Sequence, residues 1–439
     1  PLRPGLPATQ YRGRIGTDIA RSKPDTLYAL VDNYEIGRAP RQGERDAYGR
    51  PMPQGSGFIK GQDVYRSDDA GKTWRQTSRF DEATTNYLNN HANTYGWVFG
   101  QIRVDPTNPE RIFIMAVPLS VSNDGGRTFS RFPAQGVHGD HHGLWIDPAN
   151  PNIIYNSNDG GFYQTEDGGK NWKFAVAAGG SQFYNVAVDT SSPPWAYGSI
   201  QDIGSQRGRI DLSKGGGSIP AVAWEPAPGG EGSNHAIDPD NPNIVYSLGF
   251  YGNFSRTDLG ADTPARRNTG IQPSDPTAEL RAQWMAPFIV SPHDGSIVYA
   301  GYQFLFKSTN RGDKWDRISP DLTDNNRGQM GQNPSAIPYQ TIIAMAESPK
   351  KKDLLYIGTD DGRLHTTIDG GREWTELTTK LPVRRWISRV TPSAHADGTV
   401  YVTQRGREDD DFAAYVYRST DFGRNLAAIT NNIPAGPVN

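Results

Sequence analysis

Leu144-Trp145-Ile146-Asp147-Pro148-Ala149-Asn150-Pro151-Asn152-Ile153-Ile154-Tyr155 reads as an apolar run, a turn bracketed by prolines, and a second apolar run closing on an aromatic ring. Proline presets φ and asparagine hydrogen-bonds its own backbone, so the middle is a tight turn between antiparallel strands. Next comes Thr165-Glu166-Asp167-Gly168-Gly169-Lys170-Asn171-Trp172, a turn of another kind. Its hydroxyl and carboxylate bond the turn's own backbone, a glycine takes the left-handed position, and the aromatic side chain packs between neighbouring sheets.

Both stretches recur along the chain. The first has clear copies at 102–113 and 236–246, and looser ones at 18–28, 186–197, 288–299, 344–356 and 389–401. The second recurs around Asp69, Asp124, Asp369, Asn310 and Asp421, each preceded two residues earlier by Ser or Thr and followed two residues later by Gly. Eight hairpin turns, 42 to 56 residues apart, suit four strands per unit. The first interval is near 84 residues, and 32–62, rich in Gly, Pro and Arg, reads as an insertion overhanging one face. The expected fold is all-β, a β-propeller of seven or eight four-stranded blades. Residues 1–439 form a single propeller or a portion of a longer array. The box residues Asp69, Asp124, Asp167, Asn310, Asp369 and Asp421 are expected to be scaffold.

The Ser-x-Asp-x-Gly-x-Thr-Trp pattern at 67–74 and its five relatives resemble the BNR or Asp-box repeat. The wider sequence resembles large secreted bacterial proteins with sortilin-like Asp-box propellers, which are often labelled glycosyl hydrolases. Stretches carrying that likeness include Tyr11-Arg12-Gly13-Arg14-Ile15-Gly16, His138-Gly139-Asp140-His141-His142, Ser291-Pro292-His293-Asp294, Ile318-Ser319-Pro320-Asp321-Leu322-Thr323 and Asn431-Asn432-Ile433-Pro434. The resemblance implies an extracellular or periplasmic bacterial protein that binds a protein, a peptide or a polysaccharide. Two departures limit the enzyme families. Arg14-Ile15-Gly16 stands where sialidases carry Arg-Ile-Pro. Asp202 lies in an Asp-Ile-Gly shared with two-propeller xyloglucanases, but one ring of this length supplies no second wall for their cleft.

Composition narrows the partners. The chain has 45 basic and 48 acidic residues and a formal charge of −3. Phosphate binding wants a clustered basic excess, so nucleic acid is not an expected partner. No apolar run approaches the roughly 20 residues of a membrane helix, and membrane insertion is not expected. The absence of cysteine removes disulfides, thiolate metal sites and cysteine nucleophiles together.

Propeller geometry places the residues just before each inner strand, and the loops between second and third strands, around one channel mouth. Binding candidates there are Arg14, Gln101, His141, His142, Tyr184, Asp159, Asn234, Gln340 and Asp360. His138, Asp140 and His142 are candidate ligands for zinc or another divalent metal, although neighbours on a strand point oppositely unless a bulge intervenes. Glu231, with His235 four residues on, is placed to complete such a site. Asp238-Pro239-Asp240 and Glu408-Asp409-Asp410-Asp411 offer oxygens to calcium. Glycoside hydrolysis needs two carboxylates straddling the sugar, and Asp140, Asp202 and Glu231 are the nominated acids. Three functions therefore stand: a binding or scaffold module, a glycoside hydrolase acting on a polysaccharide, and a structural subunit of a larger assembly.

Overall fold

Tyr155 pairs with Trp145 across the first two strands of its sheet, ten residues back in the chain. The same register recurs in Asp18–Tyr28, Arg103–Phe113, Ala187–Tyr197, Ala236–Tyr246, Ile289–Tyr299, Ala346–Tyr356 and Thr391–Tyr401. A slip of one residue would turn each hairpin inside out, so the repeated turn pins every sheet alike. A third strand and a short fourth extend each hairpin. The result is eight four-stranded antiparallel sheets at 12–76, 101–131, 141–174, 187–226, 234–268, 288–317, 342–376 and 386–428, each in simple order. These are numbered one to eight below. A computed structural model describes residues 6–44, 57–79, 81–91, 96, 98–175, 181–213, 215–218, 220–271, 279–329, 337–434 and 436–438.

The chain divides into two compact units, with sheets one to three in the first and sheets four to eight in the second. Within each unit the first strands of successive sheets lie side by side. The core sits between sheets. Tyr28, Leu30 and Val64 of sheet one meet Ile102, Ile112 and Ile114 of sheet two, and Phe113, Met115 and Leu119 meet Leu144, Ile146 and Ile154 of sheet three. The second unit repeats the scheme, with Tyr246, Leu248 and Phe254 against Phe288, Val298 and Phe306. Consecutive meanders sharing apolar faces are the arrangement of propeller blades.

The six box turns are built alike. Asp167 Oδ1 receives the Thr165 hydroxyl at 2.8 Å and the Asn171 amide at 2.9 Å, and the Gly169 amide donates to Thr165 Oγ1 at 3.0 Å. Gly169, at φ +95°, leaves no room for a side chain, because a Cβ would stand 2.6 Å from the Phe132 ring of the preceding sheet. Trp172 reaches the same sheet through its indole N–H, which donates to the Pro133 carbonyl at 3.1 Å. The box turn is tied to the hairpin turn of its own sheet, Gly168 N–H donating to Asn152 O at 2.9 Å. Equivalent bonds join Ala70 to Asp25, Gly125 to Glu110, Arg311 to Ser296, Gly370 to Asp353 and Phe422 to Gly398. Both kinds of turn thus share one edge of each of the six sheets that carry a box. The starts of the first strands and the loops between second and third strands occupy the other, called here the leading edge.

Two features enlarge the first interval. The strands Leu27–Arg38 and Phe58–Ser67 run on as a ladder to the pair Arg38–Phe58, which forms the base of the 32–62 insertion. Its tip, 45–56, lies outside the described residues. The second feature corrects the expectation that the insertion alone lengthens the interval: an α-helix, Glu82–His91, follows the first sheet. Asp81 caps it by accepting the Thr84 amide at 2.7 Å, and Leu88 is buried between sheets one and two. One buried leucine in a polar decapeptide left little periodicity to read.

Candidate functional site

In the first unit the His138–His142 segment leads into the strand His141–Ile146. Its pairing slips, since Gly143 faces Ser157 while His141 faces Asn158, so His142 lies in a bulge. The bulge does not bring the two imidazoles together. His141 turns inward, its Nδ1 2.9 Å from Asn156 Oδ1, and burial holds its pKa below the ordinary imidazole value. His142 turns outward, with Nε2 2.7 Å from Asp159 Oδ1 and its ring 5.0 Å from Phe99. His138 Nδ1 lies 3.1 Å from its neighbour's carbonyl and 3.9 Å from Asp140. His142 is therefore committed to Asp159 rather than to a set with His138 and Asp140. Arg14 is exposed and donates to the Val98 carbonyl, and Gln101 opens the second sheet half-buried.

The second unit gathers a larger cluster along its leading edge. Tyr184, three residues before the strand Ala187–Val188, donates its hydroxyl to Glu231 Oε1 at 3.0 Å. Its ring stands edge-on to Trp284 at 5.7 Å and to Phe250 at 6.3 Å, while Phe250 and Trp284 stack at 5.0 Å. All three rings are half-buried. Asn185 Nδ2 donates to Asn234 Oδ1 at 2.7 Å, and Asn234 Nδ2 to the Ala286 carbonyl at 2.9 Å. Asn234 thus stitches successive sheets together. His235 does not join Glu231, because its Nε2 turns into the interior, 2.8 Å from the Pro228 carbonyl.

Two of the candidates lie beneath this surface. Gln340 is fully buried at φ +65°, its side chain exchanging hydrogen bonds with the Asn326 backbone. Asp360 is fully buried as well, accepting the Thr341 amide and hydroxyl at 2.8 Å each and Gln283 Nε2 at 3.2 Å. Desolvation, reinforced by the neighbouring Asp361 charge, outweighs these hydrogen bonds and pushes the Asp360 carboxyl up to about 7. Ligand contact by Gln340, Asp360 or His141 is thereby withdrawn. Asp140 and Asp202 sit at left-handed positions, φ +57° and +61°, in their turns.

Three of the residues proposed for calcium, Asp238, Glu408 and Asp411, are paired with arginine. Asp238, fully buried, receives Arg311 Nε at 2.8 Å and the Tyr246 hydroxyl at 3.2 Å. Asp411 receives Arg385 at 3.0 Å, and Glu408 receives Arg405 at 3.1 Å.

Phe250, Gln283 and Trp284 escaped the sequence reading. The rule that nominated the others covers them, since Phe250 follows the second strand Ile244–Gly249 and Trp284 stands four residues before the strand Phe288–Ser291. Chemically, the half-buried rings beside one carboxylate offer apolar faces with a polar rim.

No protein-family model matches the chain, and no curated protein sequence matches it. Solved structures similar to it include the GH74 enzyme of Niastella koreensis, at 14% identity and a TM-score of 0.26 over 98% of this chain and 66% of that one. The chain thus spans about two thirds of that enzyme's length. The GH74 xyloglucanase of Xanthomonas campestris is similar at 15% identity, TM-score 0.25, over 94% of this chain and 72% of that one. Sqt1 of Chaetomium thermophilum, solved bound to the N-terminus of the ribosomal protein L10, is similar at 11% identity, TM-score 0.32, over 94% and 86%. At these identities and scores none of them assigns a substrate, partner or reaction to this chain.

Proposed function

We propose that the eight sheets are blades of an Asp-box β-propeller working outside the bacterial cytoplasm as a binding module. Its ligand, a protein, peptide or glycan, docks on the leading edge of the second unit. The observation that carries this reading is the Tyr184–Phe250–Trp284 cluster beside Glu231: half-buried rings, an amide rim and one accessible acid. A hydrolase would instead want two free carboxylates facing one pocket. Three acids along the leading edge are engaged within their own surroundings, Asp159 on His142, Asp360 on Thr341, and Asp361 on Thr359 and the Asp324 amide. Asp360 has the raised pKa of a general acid, but it lies where no substrate reaches it.

The test is binding to soluble polysaccharides by affinity electrophoresis and to a labelled peptide library, with Trp284→Ala alongside. A central aromatic anchor is worth about 2 kcal/mol or more, so the variant should bind some thirtyfold more weakly. Unchanged binding by Trp284→Ala sinks the proposal. Release of sugar at a rate that Glu231→Gln abolishes replaces it with the hydrolase.

A further inference from the structure

Gln283 stands between a buried acid and the aromatic surface. Its Nε2 donates to Asp360 Oδ2 at 3.2 Å, and its Oε1 accepts the main-chain N–H of Trp284 at 2.9 Å. This orientation of the amide is the one an ionised Asp360 requires, because a carboxylate only accepts. Oδ1 receives the Thr341 N–H, a donor that cannot reverse, so an added proton belongs on Oδ2. There it meets two donors, the Thr341 hydroxyl and the Gln283 amide. Thr341 is fully buried with Asp360 as the acceptor of its hydroxyl, and rotating it away would strand that hydrogen. Gln283 and Trp284 are only half-buried, so the amide can turn with its freed donors reaching water, which brings Oε1 to the new O–H. The turned amide then aims Nε2 at the Trp284 N–H, donor against donor.

We infer that Asp360 is a positioning residue for the Trp284 face: ionised, it holds Gln283 in the orientation that anchors Trp284, and protonated, it turns Gln283 and releases Trp284. The charged and titratable groups facing Asp360 are its neighbour Asp361, Tyr339 ahead of the seventh sheet, and Arg405 of the eighth. Arg384 is engaged on Asp324 and on Asp361. From sheet six comes Gln283, since the Arg281 guanidinium goes to Asp321 and Thr323. Tyr339 is pushed up to about 12 and stays neutral throughout the relevant range. With the carboxyl near 7, the anchored form holds above neutrality and the released form below it.

Any effect on binding rests on the reading that Trp284 contacts ligand, but the switch itself can be followed without one. Intrinsic fluorescence of the full chain is titrated from pH 5 to 9, and the Trp284→Phe signal is subtracted to isolate Trp284. The expected result is a Trp284-dependent transition within about one unit of pH 7, because a single group titrates over that span. Asp360→Asn, whose amide donates where the acid's O–H would, should hold the low-pH level at every pH. Gln283→Leu should abolish the transition while leaving Asp360 in place, and far-UV circular dichroism confirms that both variants fold. A Trp284-dependent transition that persists in Asp360→Asn, or its absence in the parent chain, overturns the inference. Unchanged ligand binding by Trp284→Ala would overturn the binding proposal and leave this titration standing.

Discussion

The Tyr184 hydroxyl donates to Glu231 Oε1 at 3.0 Å, joining the segments that lead into the fourth and fifth sheets. The bond also fixes the Tyr184 ring edge-on to Trp284 and Phe250. If it is the main link between the two residues, Tyr184→Phe and Glu231→Gln should each lower stability by about 1 kcal/mol or less. The double variant should cost no more than the worse single one. Urea unfolding of the four proteins measures the coupling, and additive losses would show that the two side chains act independently.

The box turns predict a graded response to substitution. Asn310 reproduces the Oδ1 hydrogen bonds of the aspartates, receiving the Ser308 hydroxyl and the Lys314 amide at 2.9 Å each, although Asp167 Oδ2 also accepts Asn171 Nδ2 at 2.7 Å. Asp167→Asn should therefore keep the turn, whereas Asp167→Ala should lower the urea midpoint. Acid should discriminate too. The hydrogen bonds of their own turns hold Asp69 and Asp167 down to about 2, below the ordinary carboxylate value of 3.8. Their contribution is present above that ordinary value and fades as pH falls from about 4 toward 2. Circular dichroism between pH 2 and 5 should show a shallower acid limb for Asp167→Asn, and an unchanged limb would remove the box from the acid response.

How far the sequence reached follows from this asymmetry between turn and surface. The hairpin register and the box bonds are local: residues within ten positions determine them, and the motif shows them directly. The edge that carries the candidate site was legible for the same reason, because turn order decides which end of a strand faces where. The contacts along that edge were not. Nothing near Gln283 announces Asp360, 77 residues away, and whether Tyr184 finds Glu231 depends on how successive sheets stack. The bulge at His142 is likewise a backbone register that residue types leave open. The helix after the first sheet went unseen because its one buried leucine carries no pattern.

Three histidines are held neutral in the interior: His141 beside Asn156, His235 beside the Pro228 carbonyl and His365 beside the Leu322 carbonyl. Burial is the leading cause in each, setting the pKa below the ordinary 6.5. The unfolded chain then binds protons that the folded one refuses, so stability falls as pH drops below about 6.5. Asp360 acts with the opposite sign, since its raised pKa lets the folded chain hold a proton more tightly and gain stability as pH falls through about 7. The comparison is therefore made in Asp360→Asn. In that background His365→Gln, whose amide can still donate to Leu322, should flatten the decline of the urea midpoint between pH 7.5 and 5. An equally steep decline would place the titration elsewhere.

Arg311 of the sixth sheet's box turn donates Nε to Asp238 of the fifth sheet's hairpin turn at 2.8 Å, with Asp238 fully buried and the arginine partly exposed. Removing the arginine leaves a buried carboxylate held by the Tyr246 hydroxyl and the Asp240 amide, whereas removing the acid leaves a cation that can swing into water. Arg311→Ala should therefore cost more than Asp238→Asn, by about 1 to 3 kcal/mol, the penalty of an uncompensated buried charge. Urea unfolding of the two variants at pH 7 measures both losses, and equal losses would mean that water reaches Asp238 once the arginine is gone.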